Sequence, residues 1–398
     1  MHVCLLTSSR SLEVVFGGEE KFTLSLGEWL KKRGYPVTIV SRRLFGVEAV
    51  EEPCDVSSNA AQMESEPPRR VQLPYIMFVV SMLFTSLLFV LQIIAVNRRS
   101  KISIIHAQDT GYGGLPALIA ARILRIPVVL SSHGIRHITI SNVLKGFPAR
   151  LALPWEYCLD VFTSSHADIV VSVSSNGKRY FSQIMPEGRV RTIPIGIVTS
   201  SFKASNEARH MVRKELGFQD EVLVGFVGRL APEKNLFSLL EAFAKAARKI
   251  EKVRLVLIGA GPLDKKLRAF SREQGVSDRV VFAGIRHDVN RVLSALDIFA
   301  LPSYTEGCPT SLLEAMASGR AIVASSISSI REIVSNDEAI LVNPHNVGEL
   351  EQAITLLSND RGLRADLGRK AIERSKLYDV DRIYKQLVTL YKDLTALN

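Results

Sequence analysis

Short runs of β-branched and other apolar residues alternate with amphipathic stretches along most of the chain. Met1–Thr7 reads as a first strand, followed by a polar loop. Val37–Val40, Ser103–His106, Val128–Ser131 and Ile169–Val173 read as further strands, with helical patterns between them at Glu20–Lys32 and Leu115–Arg125. A second series follows about residue 200. Its strands are expected at Val222–Val227, Arg254–Ile258, Val280–Ala283, Ile298–Leu301 and Ala321–Ala324. Its helices are expected at Leu236–Ile250, Leu263–Gln274, Asp288–Ala295 and Thr310–Ser318. Alternation of this kind predicts an α/β fold with parallel, doubly wound, Rossmann-like sheets covered by helices on both faces. The polar stretch 201–219 carries little apolar density and places a boundary there. The expected division is 1–200, 201–378 and a last helical stretch, 379–398, that crosses back to the first domain. Two such halves leave a cleft between them, where ligands of these folds sit.

One segment breaks the alternation. No charged residue falls between Arg70 and Arg98, and Tyr75–Val96 is apolar enough and long enough to cross a ~30 Å hydrocarbon core as a helix. A span, a monotopic or re-entrant contact, and a buried helix all fit that composition. Arg69 and Arg70 precede the segment, and Arg98, Arg99 and Lys101 follow it, so the charge rule gives no orientation. A single crossing would put the strands at Val37–Ser41 and Ile102–His106 on opposite sides of a membrane. They read as neighbours in one sheet, which favours a monotopic contact of 71–97, with the arginines at anionic headgroups. The start lacks the basic region and long apolar run of a signal peptide, so a cytoplasmic location, peripheral or monotopic on the membrane, is expected.

The net charge, +10 from 50 Lys and Arg against 40 Asp and Glu, favours anionic partners. No helix-turn-helix, zinc-finger or RNA-binding pattern is present, so nucleic acid is not an expected partner. Cys4, Cys54, Cys158 and Cys308 lie far apart without metal-ligand spacing. Neither a structural zinc nor a disulfide framework is expected.

Four clusters carry candidate chemistry. In Gly225-Phe-Val-Gly228-Arg229-Leu-Ala-Pro-Glu233-Lys234-Asn235 a strand ends at a glycine, and two cations follow that could bracket a diphosphate. Ile258-Gly259-Ala-Gly261-Pro is a glycine turn between strand and helix, short of a full dinucleotide fingerprint. In Glu306-Gly-Cys-Pro309-Thr310-Ser311-Leu-Leu-Glu314-Ala-Met-Ala-Ser-Gly319, Pro309 suits the first helical position. The free amides of Thr310 and Ser311 would then offer a phosphate site at a helix start. Glu314 falls inside an otherwise apolar helix and needs a partner there, which ribose hydroxyls or a buried cation would supply. In the first half, Phe16-Gly17-Gly18-Glu19 opens a helix and Ser131-Ser132-His133-Gly134 follows a strand.

These pieces, in this order, resemble the retaining GT-B glycosyltransferases of family 4 over nearly the whole chain. The resemblance rests on Glu306 and Glu314 spaced E-x7-E, on GRLAPEKN with Arg229 and Lys234, on GAGP with Gly259 and Gly261, on Gly17-Gly18, and on His133-Gly134. It implies that Arg229 and Lys234 neutralise a donor diphosphate and that Thr310 and Ser311 hold its distal phosphate. Glu306 would bind the transferred sugar, Glu314 the ribose, and Arg286 the base, largely through backbone. Gly17, Gly18, Gly259 and Gly261 would approach the donor, and His133 would stabilise developing charge or orient the sugar. The implied reaction is front-face displacement with retention. The donor would be UDP- or GDP-linked, with no metal and no further cofactor, and the long apolar segment suggests a lipid or lipid-linked acceptor. The chain departs from the family at Ile193-Pro-Ile195-Gly-Ile197-Val198, where Asn and Asp are usual, and at Pro309, often Gly. A non-catalytic nucleotide-sugar-binding subunit and a GT-B epimerase or phosphorylase are the alternative readings.

Overall fold

In a computed structural model the residues described are 1–10, 18–43, 46–50, 75–134 and 147–397. The chain forms two compact units, Met1–Pro194 with Ile383–Asn398, and Ile195–Arg382.

The first unit carries β1 (Val3–Arg10), β2 (Val37–Arg43), β3 (Gly46–Val50), β4 (Ile104–Ala107), β5 (Val128–Ser132), β6 (Ile169–Ser172) and β7 (Val190–Thr192). They form one sheet in the order β3-β2-β1-β4-β5-β6-β7. Only the β2–β3 edge pair is antiparallel. Leu5 lies opposite Ile39 on one side and His106 on the other. Every residue of β4, β5 and β6 is buried, which is why these strands read as apolar runs rather than as alternation.

The apolar segment forms the helix Tyr75–Arg99. Residues 71–74 lie outside the described residues. Phe89, Val90, Ile93 and Val96 fill the core beside Leu6, Val40 and Ile105. The opposite face leaves Leu83, Phe84, Leu87 and Leu91 half or more exposed. One face is therefore protein core, and the other is apolar and half or more exposed at these four residues.

The second unit is all parallel: β8 (Val222–Val227), β9 (Val253–Ile258), β10 (Val280–Gly284), β11 (Ile298–Leu301), β12 (Ala321–Ser325) and β13 (Ala339–Val342), in the order β10-β9-β8-β11-β12-β13. In each sheet the order reverses beside the first strand, at β1 and at β8. Ligands of open α/β sheets bind beyond the carboxyl ends of the strands at such a reversal.

The units divide at Pro194, ahead of the polar stretch that suggested residue 200. Ile195 and Ile197 are buried, and Ile197 exchanges backbone hydrogen bonds with Tyr378 and Val380 of the second unit. Burial of an apolar strand-like piece outweighs the composition change downstream. The final helix, Val380–Ala396, starts in the second unit and continues in the first from Ile383. There Tyr384, Leu387 and Tyr391 are fully buried.

Candidate active site

In the second unit the loops after β8 and β11 bring Lys234 onto Glu306. The Lys234 ammonium donates to both carboxylate oxygens of Glu306, at 2.6 and 2.8 Å. The Ser303 hydroxyl donates to the same carboxylate at 2.7 Å. The Glu306 side chain is 8% exposed and that of Lys234 18%, so the pair is screened less than a surface bridge. It stands at the sheet's reversal. Asn235 anchors the Lys234 loop: it takes a left-handed conformation, φ 55°, and its side-chain amide donates to Pro302 O and Pro344 O. Asparagine tolerates that conformation better than most residues. The Tyr304 amide donates to Glu233 O, tying the two loops a second time.

Arg229 stands differently. Its side chain is 57% exposed and pairs with Glu233 four residues on. An exposed pair of this kind contributes about 0–1 kcal/mol, so the guanidinium can exchange it for an anion at little cost. Arg286 is held by Glu215 and Asp288, and those carboxylates raise its pKa further above the ordinary guanidinium range. Its side chain is thereby occupied.

Pro309 precedes the helix Thr310–Ala317 instead of occupying its first turn. Its φ of −71° is ordinary for proline, but its ψ of 106° is extended. The expectation that it would be the first helical residue is corrected by one position. No side chain caps this end. Among the described residues the amides of Thr310 and Ser311 have no acceptor, as the first amides of a helix lack one within it. Glu314 is buried, 5% exposed, in the middle of that helix.

Gly259 and Gly261 have a packing reason of their own. A Cβ on Gly259 would lie 2.0 Å from Gly228 O, and one on Gly261 2.3 Å from Leu230 O. The loops after β8 and β9 press backbone to backbone, with Leu230 N on Ala260 O and Leu263 N on Leu230 O. Gly259 also sits at φ 132°. These glycines therefore set the floor on which Arg229 and Lys234 stand.

In the first unit Gly18 is the first residue of the helix Gly18–Lys32, and Gly17 lies outside the described residues. His133 follows β5. Phe22 meets its ring edge-on at 5.3 Å between centroids, and Gln108, just past β4, faces its Nε2 at 3.4 Å. Burial pushes the His133 pKa down to about 4 against the opposing pull of Asp109. The imidazole is neutral at physiological pH. Sequence reasoning missed Gln108 and Ser303, and it named Asn235 only as a neighbour of the helix start. Their only signal was position, directly after a strand or before a helix.

A model for glycosyl transferases group 1 matches residues 209–374, and one for glycosyltransferase family 4 matches residues 16–201. The chain belongs to glycosyltransferase family 4. It is a glycosyltransferase with the two-domain GT-B fold. Among its relatives is the putative teichuronic acid biosynthesis glycosyltransferase TuaC of Bacillus subtilis, 26% identical over 73% of this chain and 71% of that one. Another is the N,N'-diacetylbacillosaminyl-diphospho-undecaprenol alpha-1,3-N-acetylgalactosaminyltransferase of Campylobacter jejuni, 29% identical over 69% and 73%. Among solved structures the sucrose-phosphate synthase of Thermosynechococcus elongatus superposes with a TM-score of 0.80 at 22% identity, covering 100% of both chains.

Proposed function

We propose that this glycosyltransferase moves a sugar, with retention, from a UDP- or GDP-linked donor to a lipid or lipid-linked acceptor at the cytoplasmic face of a membrane. The observation that carries the reading is the Lys234–Glu306 pair at the sheet reversal, with the amides of Thr310 and Ser311 free beside it in sequence. A nucleotide sugar carries what these groups bind. The diphosphate takes Lys234, Arg229 and the helix-start amides, and sugar hydroxyls take Glu306. Glu314 takes the ribose, and Gly17, Gly18, Gly259, Gly261 and the Arg286 backbone lie along the donor. His133, neutral, orients the sugar or supports charge as the glycosidic bond breaks.

In a front-face displacement the bond from the anomeric carbon to the diphosphate lengthens first. The acceptor oxygen then closes on the same face, and its proton passes to the departing phosphate. No protein base is needed. Catalysis rests on orientation and on neutralising the leaving diphosphate. No metal is required in this scheme, and a chelator should leave the rate unchanged.

The membrane part of the reading is supported by the exposed apolar face of Tyr75–Arg99, with Arg98, Arg99 and Lys101 at its end. The Campylobacter relative is named for an undecaprenol-linked acceptor. The experiment supplies labelled nucleotide sugars singly to membranes carrying wild type or Glu306→Ala, then extracts lipid. Label in the lipid phase with wild type alone supports the proposal. Label that appears only in water-soluble products would remove the lipid acceptor, and donor binding without turnover on any acceptor would point to a binding subunit.

A further inference from the structure

The exposed apolar residues of the first unit are not scattered. Among its described residues every exposed large apolar side chain, Leu397 at the chain end apart, lies on one of three helices: Tyr75–Arg99, Gly114–Leu124 and Phe147–His166. β4, β5 and β6 are parallel and adjacent, so the second and third of these helices, which connect them, cover the same sheet face. The first packs beside the second on that face and shares a core with it. Met82, Leu115 and Leu159, one from each helix, meet around Tyr112. Each helix turns an apolar side outward. The second exposes Ile119 and Ile123, one turn apart, and the third Trp155 and Phe162, two turns apart. Single exposed apolar residues are ordinary, but a set confined to one face marks an interaction surface.

The charge on this face says what occupies it. Along residues 75–101, 114–125 and 147–166 the only carboxylates are Glu156 and Asp160. Both are buried, and they accept hydrogen bonds from Tyr112 and Thr110. Among the described residues the exposed cations are Arg98, Arg99 and Lys101 at and just past the end of the first helix, and Arg122 and Arg125 at the end of the second. Both helices return the chain to the starts of parallel strands, so these cations gather along one edge. Arg125 closes its helix in the left-handed conformation, φ 54°, a place that glycine takes at least cost. A charge is kept there against the preference of the backbone.

An anionic bilayer matches every one of these features. Its acyl chains meet the aliphatic side chains, its interface suits Trp155, and its headgroups take the cations. A second copy of this chain would instead bring twice these cations, and no exposed carboxylate, to one interface.

We propose that the three helices form one membrane-docking face that lies flat on an anionic bilayer, with Arg98, Arg99, Lys101, Arg122 and Arg125 at the headgroups. The proposal rests on the membrane contact read above from the first helix. It adds the second and third helices and a demand for anionic lipid.

The full-length protein is floated with vesicles of phosphatidylcholine alone, or of phosphatidylcholine and phosphatidylglycerol in equal parts. Binding should be stronger to the anionic vesicles and should weaken with salt. Ile123 is 57% exposed, so Ile123→Asp should keep the fold, which thermal unfolding checks. It should bind anionic vesicles roughly tenfold more weakly. Arg122→Gln should lose about fivefold on anionic vesicles and nothing on neutral ones. Arg125→Gly should also bind anionic vesicles more weakly, yet unfold no earlier than wild type. Trp155 reports on the third helix. The chain has two tryptophans and Trp29 is buried, so the difference between wild type and Trp155→Phe isolates the exposed one. Its emission should shift to the blue on binding, and lipids brominated in the acyl chains should quench it. Binding with no response from Trp155 and no effect of Ile123→Asp would overturn the three-helix face and leave the contact of the first helix standing. Equal binding to both kinds of vesicle would overturn the role of the cations. Binding to neither would overturn the proposal together with the membrane reading. A dimer that Ile123→Asp dissociates, with no vesicle binding, would do the same and assign the face to a second copy.

Discussion

Lys234 and Glu306, 72 residues apart in the chain, meet through two hydrogen bonds and share a poorly solvated place. Removing either leaves the other's charge without its partner. Lys234→Ala should lower kcat/KM by about 10²–10³-fold, the scale of one lost electrostatic contact to a leaving group. It should also cost roughly 1–3 kcal/mol of stability for the stranded carboxylate, read by denaturant unfolding. Arg229→Ala should weaken donor binding with almost no change in stability, since its bridge to Glu233 is exposed.

The histidines make a pH prediction. Burial lowers His106 to about 3 and His133 to about 4, from 6.5. Above 6.5 both states are neutral and neither residue affects stability. As pH falls below 6.5 the unfolded chain takes up protons that the folded chain refuses, so folding weakens progressively toward about pH 4. Urea midpoints from pH 7.5 to 4.5 should fall, and His106→Gln should flatten the slope. The cations and helix-start residues stood out as candidates because they suit phosphate chemistry, and the spaced glutamates because they carry the family resemblance. Gln108 was not, because a glutamine after a strand carries no pattern. Its meaning depends on which side chain the neighbouring strand sets beside it.

The strand and helix pattern of the elements was readable because buried parallel strands must be apolar throughout and helices must bury one face. β3, β7 and β13 were missed. Each is a short edge strand, and β3 and β7 carry polar residues that an outer position tolerates. The glycine turns were read as ligand-approach sites, and the structure adds a demand that spacing could not reveal. Gly261→Ala should destabilise the second unit by about 1–3 kcal/mol, because its methyl would overlap Leu230 O, a backbone atom that can yield only by moving the Lys234 loop. Loss of activity should accompany it even at temperatures where the variant stays folded, and comparing unfolding curves with transfer rates checks this.

Across the whole molecule the basic surplus divides into two populations. Arg213 and Arg320 are largely buried and hold carbonyls at a helix end and in loops, Arg213 on Ala295 O and Gln219 O, Arg320 on Leu296 O. Arg213 also shares Asp297 with Arg209. These cations stabilise the fold and are not available to a partner. The cations at the end of the apolar helix, Arg98 and Arg99, and Lys101 just past it are exposed. Leu87→Asp, on the exposed apolar face of that helix, should leave unfolding unchanged and, under the proposed membrane contact, move the protein to the soluble fraction on flotation. Ile93→Asp, in the core, should abolish folding.

The amino-acid sequence by itself determined the α/β class and the order of most elements, and it named the cations, glutamates and glycines of the candidate site. Those properties are written in local periodicity and in residue chemistry at short spacing. Only the tertiary structure decided that the apolar helix is half core and half exposed, that Lys234 sits on Glu306, that the glycines separate two backbones, and that Gln108 faces His133. Each of these is a contact between segments distant along the chain, and a contact of that kind exists only once strand order and register have been set by burial of the core.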